Sequence, residues 1–244
     1  MQQLSKIISM KEEVLIGCSS FNNRYWKGIF YPENLPTSKW FEYYCEHFET
    51  YEFNGSFYKF PTEKIFNNWY NKAPENFLFS VKAPKEITHI KKFKDCKNLI
   101  EDFYLICKNG LKDKLGCILF QFPPGYDYSK ERLNEIVINL DPEFRNVIEF
   151  RHESWWNDEV WEVFLENNIT FCSVSYPNLP ETVFTEFPLI YIRFHGNLKL
   201  FYSGYTTAEL NQVKNKLENK NAFVYFNNTA GTEGILNAVE FKKI

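Results

Sequence analysis

The chain has 244 residues, of which 44% are hydrophobic and 19% aromatic, including 25 Phe and 15 Tyr. That apolar content excludes a disordered chain and supplies a sizeable core. A formal net charge of -3 excludes a global attraction for polyanions, so any contact with nucleic acid has to come from a local patch.

Strands are expected to begin near Val14, Thr50, Phe77, Leu115, Asn146, Ile169, Leu189 and Ala222. Between them, helical spacing marks Ser38 to Phe48, Thr62 to Asn71, Asp95 to Cys107, Ser129 to Leu140, Trp155 to Glu166, Thr206 to Leu217 and Thr232 to Phe241. Ser38, Thr62, Ser129 and Thr206 stand where N-caps belong. Residues 176–188 are too few and too Pro-rich for a regular helix, so one repeat is expected to be degenerate. Strands alternating with helices imply a parallel sheet. Eight such units in a chain close to the about 250 residues of a (β/α)8 barrel predict a parallel eight-stranded TIM barrel. No Pro-rich or Gly/Ser-rich linker interrupts the chain, which reads as one domain over 1–244, with 1–12 as a loose N-terminal extension.

Cysteines at 18, 45, 96, 107, 117 and 172 show no C-x-x-C spacing and fall mostly within apolar runs, where a thiol packs as a small hydrophobe. The first twenty residues lack an apolar run with a small-residue cleavage site, and no stretch reaches roughly 18 apolar residues. A cytoplasmic protein without a membrane span is the expectation.

Parity assigns directions within the strands. Ile148, Phe150, Ile190, Ile192 and Phe194 are predicted to face the helices, leaving Val147, Glu149, Arg151, Tyr191, Arg193 and His195 inside. The same alternation is read as placing Glu52, Asn54, Ser80, Lys82, Gln121, Ser173, Ser175, Tyr225 and Asn227 inside. So polar an interior is costly unless its groups pair with one another or face a ligand. The polar residues collect at the carboxyl ends of strands, where parallel barrels carry their chemistry.

An ordered set of segments runs along almost the whole chain: Gly17-Cys-Ser-Ser, Tyr25-Trp-Lys-Gly-Ile-Phe-Tyr-Pro32, Glu52-Phe-Asn-Gly-Ser-Phe-Tyr58, Val81-Lys-Ala with Thr88-His89, Leu119-Phe-Gln-Phe-Pro-Pro124, Glu149-Phe-Arg-His with Trp155, Arg193-Phe-His-Gly196 and Tyr225-Phe-Asn-Asn-Thr229. In these the chain resembles the domain-of-unknown-function 72 (YecE-like) family. The resemblance implies a TIM-barrel fold and no particular reaction. Two departures from the family pattern stand out: Ser20-Phe21 where a Gly-Trp is usual, and Ser175-Tyr-Pro177 where an Asp is common. The second removes either a site acid or a partner for an arginine.

Glu149 and Glu52 are candidates for an acid and base pair, and His195 for a proton shuttle. The competing reading makes both carboxylates structural partners of Lys82, Arg151 and Arg193, since buried ion networks also perturb pKa. Three cations against two carboxylates favour an anionic ligand, with Arg151, Arg193, Lys82, Asn54, Gln121, Asn227, Tyr58 and Trp26 as its contacts. The loop Asn228 to Gly234 either donates backbone N–H groups to that anion or is a plain turn capped by Thr232. Trp26, Tyr31, Phe57, Tyr58, Trp155 and Trp156 form either an aromatic wall for a sugar or base, or buried packing. Beyond the third strand, His89, Lys91, Lys92 and Lys94 either extend the positive mouth toward a polyanion or form a plain solvated loop. No metal-ligand spacing occurs, so neither metal nor cofactor is expected. Two functions follow: a metal-independent hydrolase or lyase acting on a small anionic or sugar-containing substrate at the carboxyl-terminal mouth, or a nucleic-acid or nucleotide binder without catalysis.

Overall fold

The computed structural model describes residues 13–244; the expected N-terminal extension, 1–12, lies outside them. The strands are β1 (Val14–Cys18), β2 (Thr50–Phe53), β3 (Leu78–Lys82), β4 (Leu115–Gln121), β5 (Asn146–Glu149), β6 (Ile169–Phe171), β7 (Ser173–Ser175), β8 (Ile190–Phe194) and β9 (Ala222–Phe226). The helices are α1 (Trp40–Cys45), α2 (Gly55–Tyr58), α3 (Glu63–Lys72), α4 (Lys97–Leu111), α5 (Lys130–Asn139), α6 (Asp158–Glu166), α7 (Thr207–Asn215) and α8 (Glu233–Lys243). Every predicted strand start lies within one residue of an observed one. None of the helices is long and apolar enough to cross a membrane.

The result is an α/β chain with two parallel sheets, one ordered β2-β3-β4-β5-β6 and the other β1-β9-β8-β7. β6 and β7 are separated only by Cys172, whose N–H donates to the Ile148 carbonyl at 2.8 Å. Residues 169–175 thus form one extended segment that pairs first with β5 and then with β8. At the other seam the Tyr44 hydroxyl accepts from the Cys18 N–H at 2.7 Å and donates to the Thr50 carbonyl at 3.0 Å. A Cβ on Gly17 would collide with that same Thr50 carbonyl oxygen, so only glycine lets β1 approach β2 this closely.

The strand alternation builds two cores. Ile16, Val81, Ile148, Phe150, Ile192, Phe194 and Val224 join the large outer cluster with the helices. Leu15, Leu119, Val147, Val174, Tyr191 and Tyr225 form a separate cluster that draws on both sheets. Thr62, Ser129 and Thr206 cap α3, α5 and α7 as predicted, and Thr206 with Glu209 completes a capping box.

Several expectations need correction. Ser38 caps nothing: it lies inside a 3-10 turn, Thr37–Lys39, and the short α1 that follows is held by burial of Trp40, Phe41 and Tyr44. Thr232 precedes α8 but makes no side-chain cap bond. Ser173 and Ser175 face outward rather than inward, because the two-residue period continues from Ile169 and Phe171 through Cys172 without interruption. Their hydroxyls are used there: Ser173 accepts from the Phe184 N–H, while Ser175 donates to Glu181 and accepts from Tyr205. The segment 176–188 contains no helix, and a cavity of 120 Å3 remains between its residues 181–183 and α7.

The Tyr44 bridge is directly testable. Tyr44→Phe leaves a buried N–H and a buried carbonyl unpaired at the β1–β2 seam, each such loss costing about 1–3 kcal/mol. Urea unfolding should show a lower midpoint with an unchanged slope, for a total loss of about 2–6 kcal/mol. A loss below about 0.5 kcal/mol would mean that the hydroxyl does not hold the seam.

Candidate functional site

Because every strand pair is parallel, the carboxyl ends of all strands open on one side of the molecule, and the polar residues gather there. Arg193 on β8 is at the centre. Its Nη1 donates to Glu149 Oε2 at 2.5 Å and its Nη2 to Glu52 Oε1 at 2.7 Å. Glu52 comes from β2 and Glu149 from β5, so one guanidinium ties the four-stranded sheet to two places on the five-stranded one. Glu52 also accepts from Ser19 Oγ at 2.6 Å, Tyr191 Oη at 2.7 Å and Asn54 Nδ2 at 3.2 Å. Arg151 pairs with Glu149 through Nη2. The same nitrogen lies 3.1 Å from His195 Nε2, while His195 Nδ1 lies 2.8 Å from Asn227 Oδ1. The tautomer that suits these contacts has Nδ1–H donating to Asn227 and Nε2 accepting from Arg151, with Glu149 Oε1 3.4 Å from the same Nε2.

Burial pushes both carboxyl groups up, but the arginines win. Arg151 and Arg193 hold Glu149 well below the usual carboxylate range. Arg193, with the Ser19 and Tyr191 hydroxyls, holds Glu52 below it too. Burial and then Arg151, against Glu149, take His195 down to about 3, so its imidazole is neutral at pH 7. Both of its ring nitrogens are engaged.

Above this layer is a cavity of 610 Å3 lined by, among others, Asn54, Lys82, Gln121, Arg151, Arg193 and Asn227. Phe57, Tyr58, Tyr176 and Phe201 supply its aromatic wall. Lys82 ends β3, and its Nζ donates to Gln121 Oε1 at 2.8 Å and sits 4.0 Å from the Phe57 ring centre. Ser56 Oγ donates to the Lys82 carbonyl at 2.5 Å, which pins α2 and hence Phe57 over the amine. No carboxylate lies within ion-pair distance of Lys82 among the described residues. Burial and then Arg193, opposed by Glu149 and Glu52, lower its pKa to about 7. Arg151 stacks under Tyr176, whose ring centre is 4.0 Å from the guanidinium carbon.

Ten of the eleven side chains nominated from the sequence stand in this layer or at the cavity; the exception is Trp26. Trp26 is fully buried, and its Nε1 donates to the Gly231 carbonyl at 2.9 Å, so it braces two loops instead of facing a ligand. Tyr31 and Trp155 are buried as well, Trp155 stacked 3.9 Å from Phe150. Glu52, Glu149 and His195 are fully buried beneath the cavity and do not form its wall. Sequence reasoning missed Tyr176 and Phe201. Tyr176 directly follows β7, a position that parity could have flagged, whereas Phe201 lies in the loop after β8 with a positive φ and carries no local signal. The turn after β9 offers fewer donors than expected. The N–H groups of Asn227 and Asn228 bond the Phe194 carbonyl and that of Ala230 bonds Phe201. Among the described residues, no three His, Cys, Asp or Glu side chains are grouped to hold a metal ion.

Two substitutions separate the charges. Arg193→Met strands two buried carboxylates and should cost about 3–5 kcal/mol at neutral pH. Depressed carboxyl pKa values add stability above the unfolded range near 4.5 that disappears as pH falls, so the gap between wild type and variant should narrow on acidification below it. Lys82→Met should have the opposite sign and raise Tm at pH 7 and below. The Lys82 pKa falls from 10.5 to about 7 on folding, so its destabilising effect should fade as pH climbs from 7 to 10.5. Thermal unfolding across pH 3–10 checks both; an Arg193→Met deficit that grows in acid would contradict the ion-network assignment.

Comparison with known proteins bears on the fold and the family. The profile of the family described as "Protein of unknown function DUF72" matches residues 15–244. The UPF0759 protein YunF of Bacillus subtilis is 25% identical over 255 aligned residues, covering 88% of this chain and 89% of YunF. The UPF0759 protein YecE of Escherichia coli is 26% identical over a shorter stretch, 47% of this chain and 42% of YecE. Among solved structures, a DUF72 family protein from Thermotoga maritima superposes with a TM-score of 0.85 at 29% identity, covering 94% of this chain and 98% of that one. A DUF72 family protein from Enterococcus faecalis gives a TM-score of 0.80 at 20% identity, covering 95% and 94%. The chain is a member of the DUF72 family.

Proposed function

We propose that the two sheets form one closed eight-stranded TIM barrel and one domain, and that its mouth is the active site of a metal-independent enzyme of the hydrolase or lyase class. Closure is supported by the continuous segment 169–175 at one seam and the Tyr44 bridge at the other. With β6 and β7 taken as one strand, the count is eight. The substrate in this reading is a small anion.

One observation carries the choice of an anion: the carboxylates are already neutralised from below, while cationic nitrogens remain at the cavity. Arg193 spends both terminal nitrogens on Glu52 and Glu149. Arg151 spends Nη2, and its Nη1 has no hydrogen-bond partner among the described residues. Lys82 has only a neutral acceptor. The Arg151 edge, Lys82 and Asn227 therefore form the clamp, and Arg193 sets the floor beneath it. Glu52, Glu149 and His195, nominated as proton carriers, act in this reading as positioning groups that fix Arg151 and Arg193. A guanidinium held against the Tyr176 ring and paired with Glu149 suits the oxygens of a carboxylate or phosphate, because its fork is already positioned.

Thermal unfolding with phosphate, sulfate, pyruvate and sugar phosphates tests this. A ligand at about ten times its Kd adds ~1.4 kcal/mol, a shift of several degrees for a chain of this size. Arg151→Gln should abolish the shift while leaving the barrel folded, because Glu149 keeps Arg193. The series should include nucleotides and a short single-stranded oligonucleotide, since Tyr58 stands 76% exposed at the rim and would stack on a base if the chain were a nucleic-acid binder. No shift with any anion, or equal shifts in both proteins, rejects the clamp.

A further inference from the structure

We propose that Lys82 is a nucleophile that forms a covalent iminium (Schiff base) with a small aldehyde or ketone in the cavity. The choice of an anionic carbonyl compound rests on the anionic-mouth reading; the amine chemistry does not.

The argument is geometric first. Lys82 stands at the carboxyl end of β3, lines the cavity, and reaches it from a strand rather than a mobile loop. Its nitrogen is held from two sides, by Gln121 Oε1 at 2.8 Å and by the Phe57 face at 4.0 Å. Neither partner is an anion: Gln121 Oε1 can accept from a neutral amine, and only the Phe57 face favours the ammonium. A lysine placed for ion pairing would sit against a carboxylate; here Arg193 and Arg151 take the carboxylates, and Lys82 is left facing their positive charge. The same surroundings act on His89, which packs on Phe57 at 4.9 Å and whose pKa is lowered to about 4 by burial and then Lys82 and Arg151. Burial and like charge are what free the lone pair of a lysine near neutral pH. With Lys82 at about 7, a large share of the amine is unprotonated there.

The step balances without an added oxidant or reductant. The Nζ lone pair bonds to the carbonyl carbon while the carbonyl π pair moves to oxygen. A proton passes from nitrogen to that oxygen, giving a carbinolamine. The hydroxyl then leaves with one solvent proton as water, and the remaining nitrogen lone pair closes the C=N bond of a protonated iminium. Such an iminium withdraws electrons from the adjacent carbon, which is the property a carbon–carbon lyase needs.

The experiment traps it. The full chain is incubated at pH 7 with pyruvate, or with neutral dihydroxyacetone, in the presence of sodium cyanoborohydride, which reduces the iminium to a stable amine. Intact mass and peptide mapping then locate the adduct. Lys82 should be labelled at least about tenfold faster than the surface lysines, because a lower pKa leaves far more free amine at pH 7. Its labelling rate should rise with a single ionisation near neutrality, and Lys82→Arg should lose the adduct while Lys82→Met shows that the barrel still folds. Faster labelling by pyruvate than by dihydroxyacetone, with the difference erased in Arg151→Gln, supports both readings. Equal rates with the two carbonyls keep the nucleophile and remove the anionic mouth. Labelling of Lys82 no faster than that of surface lysines overturns the nucleophile, even where anions stabilise the protein.

Discussion

The arrangement of the mouth depends on one buried guanidinium. Arg193 is 1% exposed and bonds two fully buried carboxylates from two different strands of the facing sheet. Removing three charges from water costs several kcal/mol per ion, and the low-dielectric attraction among them repays this only where the geometry is good and the remaining lone pairs are bonded. Both conditions hold for Glu52, which accepts from Arg193, Ser19, Tyr191 and Asn54. Glu52 stands on β2, and the bonds that satisfy it come from β8 and from the loops after β1 and β2. Its solvation is thus inseparable from the meeting of the two sheets.

That constraint propagates outward. With Glu149 fixed by Arg193, Arg151 has one defined place, and its Nη2 in turn fixes His195 as a neutral acceptor. His195 then orients Asn227 at the end of β9. Each link in this chain uses a nitrogen or oxygen that is unavailable for proton transfer. The carboxylates and the imidazole look catalytic by type, yet their partners leave them little freedom to exchange protons near neutral pH. Lys82 differs in that neither of its contacts is an anion: Gln121 Oε1 can accept from a neutral amine as well as from an ammonium, and only the Phe57 face favours the ammonium.

Much of this was legible in the sequence, and the reasons can be stated residue by residue. Strand starts were readable because Val147-Ile-Glu-Phe-Arg and Leu189-Ile-Tyr-Ile-Arg-Phe-His are short apolar runs that alternate with charged residues toward their ends, and a period of two permits only one division into inward and outward groups. The position of Arg151, Arg193, Lys82 and Asn227 followed from the same rule. The rule fails where the phase of a strand is misassigned. Alternation predicts Ser173 and Ser175 inward, but the period running on from Ile169 and Phe171 turns them outward, where Glu181, Tyr205 and the Phe184 N–H satisfy them. Trp26 looked like a stacking platform, but its burial depends on a contact with Gly231, more than two hundred residues away. Tertiary partners at that range leave no mark on local spacing.

The departure from the family pattern at Ser175-Tyr-Pro177 can now be interpreted physically. An acid at the position of Tyr176 would face Arg151 and add a third carboxylate to the mouth, whereas one at Ser175 would turn outward toward Tyr205. In this chain Ser175 turns outward and the Tyr176 ring covers Arg151, 4.0 Å from its guanidinium carbon. An aromatic face stabilises a guanidinium through its quadrupole without neutralising it or occupying its hydrogen-bond edge. The guanidinium therefore stays ordered while its Nη1 remains open to the cavity. A carboxylate would have given comparable order by consuming that edge, and would have raised the pKa of Lys82 by its charge. The tyrosine keeps the mouth short of negative charge, which is the condition under which both an unspent arginine edge and an amine titrating near pH 7 can coexist in one cavity.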